Sequence, residues 1–297
     1  MVSPRISLLQ ALSWIVGSTF LITGSAYMFI QDRILKPASK EQKDPVITAL
    51  IQTGPQREAL RSDYLAELIG ISRDRPVKFT KFDIKKGLDA LLSSPLIQQA
   101  NIKIIKPSSL YVDYAVRQPI AWVYDFENMG IDKEGFLVPM YPFFPPKCLP
   151  ELYLGLSEFQ QAPSENFFPT AKWNASLQSP ALDLAFDILH RLQPLAKDLF
   201  IIKRIDVSKA FEKNLGLREI VITVENELIL SKESAPVLLV HYLRLSAKNY
   251  PQELGNYSEL RKKIIEEDVS KLTQNNENSK QKIIDLRLTC LAFIENL

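Results

Sequence analysis

The chain has 297 residues, 46% hydrophobic and 24% charged, proportions that support a folded core and exclude a disordered or collagen-like polymer. Its 36 Lys and Arg nearly cancel its 34 Asp and Glu, and no basic stripe interleaves with aromatics, so nothing here is built to hold nucleic acid. Cys148 and Cys290 are too few for a disulfide framework and too far apart for a CxxC-type zinc site; outside the cytoplasm their pairing stays open.

Residues 6–31 carry no charged side chain, and Leu8, Leu9, Leu12, Ile15, Val16, Phe20, Leu21, Ile22, Phe29 and Ile30 supply the apolar content. A helix over 8–30 is long enough to cross a bilayer, which takes about 20 residues. A cleaved signal peptide and a buried core helix compete with that anchor. Gly24 and Ala26 sit at the small-residue spacing of a cleavage site, and a core helix has the same apolar composition. The apolar run continues past Ala26 through Ile30, which favours an anchor. Arg5 precedes the helix while Arg33, Lys36, Lys40 and Lys43 follow it, so local charge alone orients the following side to the cytoplasm. A short head before a long body is nevertheless the plan of a signal anchor, and long domains translocate largely regardless of charge. The expected layout is a cytoplasmic head at 1–7, a membrane helix at 8–30, a polar tether at 31–44 and a body outside the cytoplasm.

The body opens with a short strand predicted at 46–51 and a helix at 57–69, where Leu60, Tyr64, Leu65, Leu68 and Ile69 recur at helical spacing before Gly70. Asp83 caps a second helix carrying Ile84, Leu88, Leu91 and Leu92, stopped by Pro95. Alternation at Ala100, Ile102 and Ile104, a turn at 106–108, and alternation at Leu110, Val112, Tyr114 and Val116 predict a hairpin. Strand, helix, helix, strand, strand suits a three-stranded sheet under two helices, with open edges on which extended segments dock. Next come a strand at 121–126, a hairpin over 129–138 turning near Asp132 and Gly135, and a proline-rich connection with Pro139, Pro142, Pro145, Pro146 and Pro150. Residues 162–179 read as a surface loop. A helix at 181–197, strands at 201–207, 217–224 and 227–230, a helix from Pro236 to Lys248, and a charged helix at 257–273 follow. The run 274–281 reads as disordered. One last strand, 283–294, puts Ile284, Leu286, Leu288, Cys290 and Ala292 on one face and Asp285, Arg287 and Thr289 on the other. The fold class expected is therefore α+β: a membrane helix, a βααββ module at 45–117, and a mixed β domain at 118–297 with insertions near 160–179 and 266–281.

Five stretches carry a family resemblance. Ser94-Pro95-Leu96-Ile97-Gln98-Gln99-Ala100 with Lys106-Pro107-Ser108-Ser109-Leu110 is similar to a P-x-V-x-x-A … P-x-x-L hairpin pattern; Arg117-Gln118-Pro119-Ile120-Ala121-Trp122 is similar to E-R-x-P-V-A-x-W. Asp132, Gly135 and Phe136 match a D-x-x-G hairpin, Leu149, Pro150, Leu152 and Gly155 an L-P-x-L-x-G run, and Ile284-Asp285-Leu286-Arg287 an I-D-L-R strand. In this order and spacing, from about residue 8 to 292, they resemble the FtsQ/DivIB family of cell division proteins: short head, one membrane helix, POTRA module, β domain. Departures are Ala115-Val116, where an acidic residue often precedes the family's arginine, and Leu230-Ser231, where a Leu-Gly turn is usual.

The resemblance implies a non-catalytic divisome scaffold in the bacterial inner membrane. It would bind FtsB- and FtsL-type partners and other divisome components, and regulate septal peptidoglycan synthesis. It also implies a partner site at the edge of the late sheet, where Leu288, Thr289 and Cys290 follow Asp285 and Arg287, with Arg218 opening an earlier strand. There, free backbone groups supply affinity and an arginine can clamp a partner carboxylate. An ordinary ion pair within the domain is the competing account of Arg218 and Arg287.

No cofactor, metal or small-molecule substrate is expected. His190 and His241 are the two histidines, neither beside a nucleophile or ligand pattern, and no GxSxG, HExxH, P-loop or GxGxxG occurs. Scattered carboxylates select no glycosidase pair. Tyr141, Phe143 and Phe144 among the prolines read as core packing rather than a sticky loop. The alternatives are a membrane-anchored or secreted cell-envelope enzyme of unrecognised chemistry, and a POTRA-bearing assembly factor, which is expected to continue into a barrel of many amphipathic strands.

Overall fold

The computed structural model describes residues 8–35, 45–53, 59–72, 74, 76–156, 175–196, 199–228, 236–275, 281–288 and 291–297. Helix α1 (Leu8–Leu35) runs for 28 residues. Trp14, Ile15, Phe20, Leu21, Ile22 and Met28 on its different sides are all exposed, so no protein core accounts for its composition. Among the described residues no helix is long and apolar enough to cross a membrane.

The first sheet has the strand-helix-helix-strand-strand order that periodicity predicts. Its elements are β1 (Ala49–Gln52), α2 (Ser62–Leu68), a 3₁₀ turn (Phe79–Lys81), α3 (Ile84–Leu92), β2 (Ile97–Ile105) and β3 (Ser109–Val116). β3 lies in the middle, parallel to β1 and antiparallel to β2. Asp83 starts α3 as predicted, its Oδ1 accepting from the backbone N–H groups of Lys85 (3.0 Å) and Lys86 (3.3 Å). Leu65 of α2 and Leu91 of α3 are fully buried together with Leu110 and Val112 of β3.

The second sheet has nine strands in the order β12-β11-β10-β9-β8-β7-β4-β5-β6. They are β4 (Pro119–Val123), β5 (Met129–Asp132), β6 (Leu137–Pro139), β7 (Glu151–Tyr153), β8 (Ile201–Asp206), β9 (Ile220–Leu228), β10 (Val237–Leu245), β11 (Gln281–Asp285) and β12 (Phe293–Asn296). The pairs β4/β7, β7/β8 and β10/β11 are parallel and the others antiparallel, so the fold is α+β with a mixed sheet. Helices α4 (Pro180–Ala196) and α5 (Tyr250–Asn275) bury Ile188, Leu192, Leu254, Tyr257 and Ile264 against Ile222, Val224, Leu243 and Ile284. Burial alternates strictly along β9 and β10, so one sheet face is covered and the other is partly open. At the β7 end, Gly155 holds φ +69°, and a Cβ there would meet Cβ of Ser208 at 2.9 Å, so only glycine fits.

Three predicted elements change. The strands expected at 217–224 and 227–230 are one strand, β9, over 220–228, in which Asn226 is fully buried and hydrogen-bonded beneath α5, with 229–230 outside the described residues. The helix expected from Pro236 to Lys248 is strand β10. Its run Val-Leu-Leu-Val-His-Tyr-Leu-Arg-Leu is apolar at both periods, and nine-residue pairing with β9 decides between them. The single strand expected over 283–294 is a hairpin: β11 stops at Asp285 and the chain turns back as β12. Of the loop expected at 162–179, residues 162–174 lie outside the described residues, as do Thr289, Cys290 and most of 274–281.

The first core does not end at Arg117. Val138, Met140 and Phe144 of the second segment belong to it, with Trp122 and Phe143 packed alongside, while Tyr141 projects into solvent. At the junction, the buried Arg117 donates from Nη1 to Asp132 Oδ2 (2.8 Å) and approaches Glu134 Oε2 (3.3 Å), its guanidinium 3.7 Å from the Phe136 ring centroid. Asp132 uses its other oxygen, Oδ1, to accept from the N–H groups of Glu134 and Phe136, both at 2.9 Å. Replacing Arg117 by alanine strands a buried carboxylate and is expected to cost about 3–5 kcal/mol, measured as a shift in the urea unfolding midpoint. An equal-volume apolar pair at Arg117 and Asp132 still deprives the Glu134 and Phe136 N–H groups of their acceptor, so it is expected to recover only part of that loss.

Candidate interaction edge

Register puts the ends of β8, β10 and β11 and the starts of β9 and β12 together, through the pairs Asp206/Val221, Leu245/Ile220, Arg244/Asp285 and Asp285/Phe293. Loop 207–219 and residues 286–288 and 291–292 therefore emerge at the same end of the sheet, carrying exposed Phe211, Leu215, Leu217, Leu288 and Leu291. Beneath them lies an ion-pair network. Glu219 Oε2 accepts from Arg244 Nη2 (2.6 Å) and Nε (3.0 Å) and lies 3.5 Å from Arg287 Nη1, while Lys209 Nζ is 3.5 Å from Glu219 Oε1. Asp285 is held in a fork by Arg287, Nε to Oδ1 at 2.9 Å and Nη2 to Oδ2 at 2.6 Å. Burial by itself would raise both carboxyl pKa values, but the hydrogen bonds and charge of Arg244 at Glu219, and of Arg287 at Asp285, outweigh it and hold both below the ordinary range.

The residues predicted to form the partner site thus separate. Asp285 and Arg287 meet, but they satisfy each other, and the remaining Arg287 nitrogen, Nη1, lies 3.5 Å from Glu219. Arg218 lies in loop 207–219 at the same end of the sheet, its Nε donating to the Glu212 carbonyl at 2.5 Å within that loop. Leu288 is 59% exposed in the turn rather than on the sheet edge. Thr289 and Cys290 lie outside the described residues, and Cys148 is an exposed free cysteine. The strand at the edge is β12, which sequence reasoning merges into β11 because the turn 286–292 has no Gly, Pro, Asn or Asp to mark it. Glu219, Arg244 and Lys209 are also missed, since only pairing across four strands makes them neighbours.

All of β12 is exposed, and one side of it faces no strand among the described residues. Leu297 N donates to Gln281 O (3.0 Å), which places Phe293, Glu295 and Leu297 in hydrogen-bonded pairs with β11. By alternation the N–H and C=O of Ile294 and Asn296 point outward.

His190 is exposed, and His241 is buried. His241 Nδ1 takes a hydrogen bond from Tyr257 Oη (2.9 Å) and a longer one from Asn226 Nδ2 (3.4 Å), Asn226 being oriented by Arg261 Nε on its Oδ1 (2.7 Å). With Nδ1 accepting, the proton sits on Nε2, which is buried with no partner among the described residues. Lys282 and Asp268 form a buried pair alongside. No cluster of His, Cys, Asp or Glu suited to a metal ion occurs among the described residues. No protein-family model matches the chain, and no curated protein matches it significantly.

Burial first, then the nearby charges of Lys282 and Arg261, bring the His241 pKa down from 6.5 to about 4. The unfolded chain then binds more protons than the native one between these values, so stability is fully present above pH 6.5 and is lost as pH falls towards 4. The expected loss is roughly 3 kcal/mol across that window. Urea unfolding at several pH values checks it: a His241→Gln variant is expected to flatten the slope there, and an unchanged slope assigns it to other groups.

Proposed function

We propose that this chain is a membrane-anchored, non-catalytic scaffold of the FtsQ/DivIB type. It stands in the bacterial inner membrane with its body outside the cytoplasm, and binds FtsB- and FtsL-type division proteins. The observation that carries this is the unpartnered outer side of β12, bordered by exposed apolar side chains, which offers an extended segment backbone hydrogen bonds and a surface to cover. The free-standing apolar helix α1 supports the anchor, since a helix apolar on all sides requires a bilayer or a bundle around it. The five sequence stretches support the family: Arg117 and the Asp132 hairpin, two of them, meet in one buried contact. Arg287 acts here by holding Asp285 and bracing the β11–β12 turn, with its remaining nitrogen turned towards Glu219.

Partner addition at β12 uses the outward groups of Ile294 and Asn296. Ile294→Pro removes an outward N–H and spares the ladder to β11, whereas Glu295→Ala leaves the backbone untouched. In titrations of the full-length protein in detergent with an FtsB-type extracytoplasmic segment, Ile294→Pro is expected to weaken binding by at least about tenfold and Glu295→Ala by little. Undiminished binding by Ile294→Pro, with an unchanged circular dichroism spectrum, would remove the edge from the proposal.

A further inference from the structure

Lysines that are spread from 78 to 106 in the sequence come together at one end of the first sheet, and the order of its elements decides this. β1 starts beside the β2–β3 turn at 106–108: Thr48 N donates to Ser108 O (2.9 Å), and Ala49 is paired with Ser109. The 3₁₀ turn lies against the same start. Ile47 N donates to Val77 O (2.9 Å), Phe79 N donates to Pro45 O (3.2 Å), and Val46 is bridged to Lys78. Helix α3 begins over the later half of β2, where a Cβ on Gly87 would stand 3.2 Å from Ile102 Cδ1 and 3.0 Å from Phe82 Cζ.

Lys78, Lys81, Lys85, Lys86, Lys103 and Lys106 are therefore neighbours at this end. All are exposed, and none forms an ion pair among the described residues. Ile84, Ile104 and Ile105 are exposed beside them. Within 45–48, 76–87 and 103–108, which make up this end, the one carboxylate is Asp83, and its Oδ1 already caps α3. Asp74, just outside these stretches, lies between Arg73 and Arg75 in the sequence.

The chain arrives from α1 at this same end. Residues 36–44 are all that separate Leu35 from Pro45, so the two lie at most about 35 Å apart whatever path the connection takes. A cationic surface with isoleucines among its lysines, held that close to a helix apolar on all sides, matches one chemistry: phosphate esters over hydrocarbon. A small free anion would meet the lysines and leave the isoleucines in water.

We infer that this end of the first sheet rests on the membrane that holds α1, with the lysines on the phosphates of anionic phospholipid headgroups and Ile104 and Ile105 at the hydrocarbon boundary. The inference depends on the anchor reading of α1. The contact orients the first sheet, with the 106–108 turn towards the lipid and the 93–96 turn away from it.

The test places the full-length protein in nanodiscs of phosphatidylcholine alone, or of phosphatidylcholine with phosphatidylglycerol. The rate at which a water-soluble reagent acetylates each lysine is read by mass spectrometry. In the anionic discs the lysines of this end are expected to react at least about threefold more slowly than in the neutral discs, while the exposed Lys213 and Lys262 keep their rates. Salt at about 1 M, which shortens the Debye length to about 3 Å, is expected to remove the difference. Lys85→Glu combined with Lys86→Glu is expected to return the remaining lysines to within about twofold of their neutral-disc rates. Where those reversals disturb the start of α3, the lipid and salt comparisons on the unaltered protein carry the test. Slowing that persists in high salt, or that reaches Lys213 and Lys262 equally, overturns the proposal. Incorporation into both kinds of disc with equal lysine rates also overturns it and leaves the anchor standing. Protein that enters neither disc removes the anchor, and this contact with it.

Discussion

The contact on which the rest of the body turns is the buried pair of Arg117 and Asp132. It lies where β3 gives way to β4, so it fixes the direction in which the chain leaves the first sheet and the position of the β5–β6 hairpin. That hairpin returns Val138, Met140 and Phe144 to the first core, while β4 and β5 run into the second sheet. A charge pair with both members below a tenth exposed is tolerated only when the remaining groups are met, and Asp132 meets its own with two backbone N–H bonds. Arg117 adds a face-on contact with Phe136, leaving Nε without a hydrogen-bond partner among the described residues. Directional bonds of this kind specify one arrangement, where an apolar contact would permit sliding.

From that junction the second sheet extends to β12, and its asymmetry follows from how it is covered. Helices α4 and α5 fall on one face, and the covered face beneath α5 is not wholly apolar. Asn226, His241 and Lys282 project into it from three neighbouring strands, and Tyr257, Arg261 and Asp268 meet them from α5. This network sets the register of the long helix on the sheet, because a shift of one turn would bury several polar groups without partners. The parallel pairing of β10 with β11 depends on the same helix, since parallel neighbours need a crossover and α5 supplies it. With α5 seated, β11 is placed, and the β11–β12 turn can bring its arginine onto Asp285 and Glu219.

The proposed protein-interaction surface is a strand edge, distinguished by what flanks it. At β12 the neighbours are exposed leucines and phenylalanines above a network whose charges are already matched. Backbone groups are the same everywhere, so selectivity between segments rests on these flanking side chains.

Much of this was legible without coordinates. The α3 cap at Asp83, the β2–β3 hairpin and the turn at Asp132 and Gly135 are local, because capping, alternation and left-handed turn positions are decided within a few residues. The α+β class and the order of the first sheet follow from those local signals. Long-range pairing decided the rest. Val237–Leu245 is apolar at both the helical and the strand period, and only nine partners on β9 make it a strand. Residues 286–292 have no turn former, yet the chain reverses there, bringing Arg287 onto Asp285 and Glu219 and making β12 rather than β11 the edge. Composition and periodicity determine which segments have a face to bury, because that depends on side chains close in sequence. Which strand is left without a neighbour depends on where every other strand has gone, and that is a property of the whole sheet.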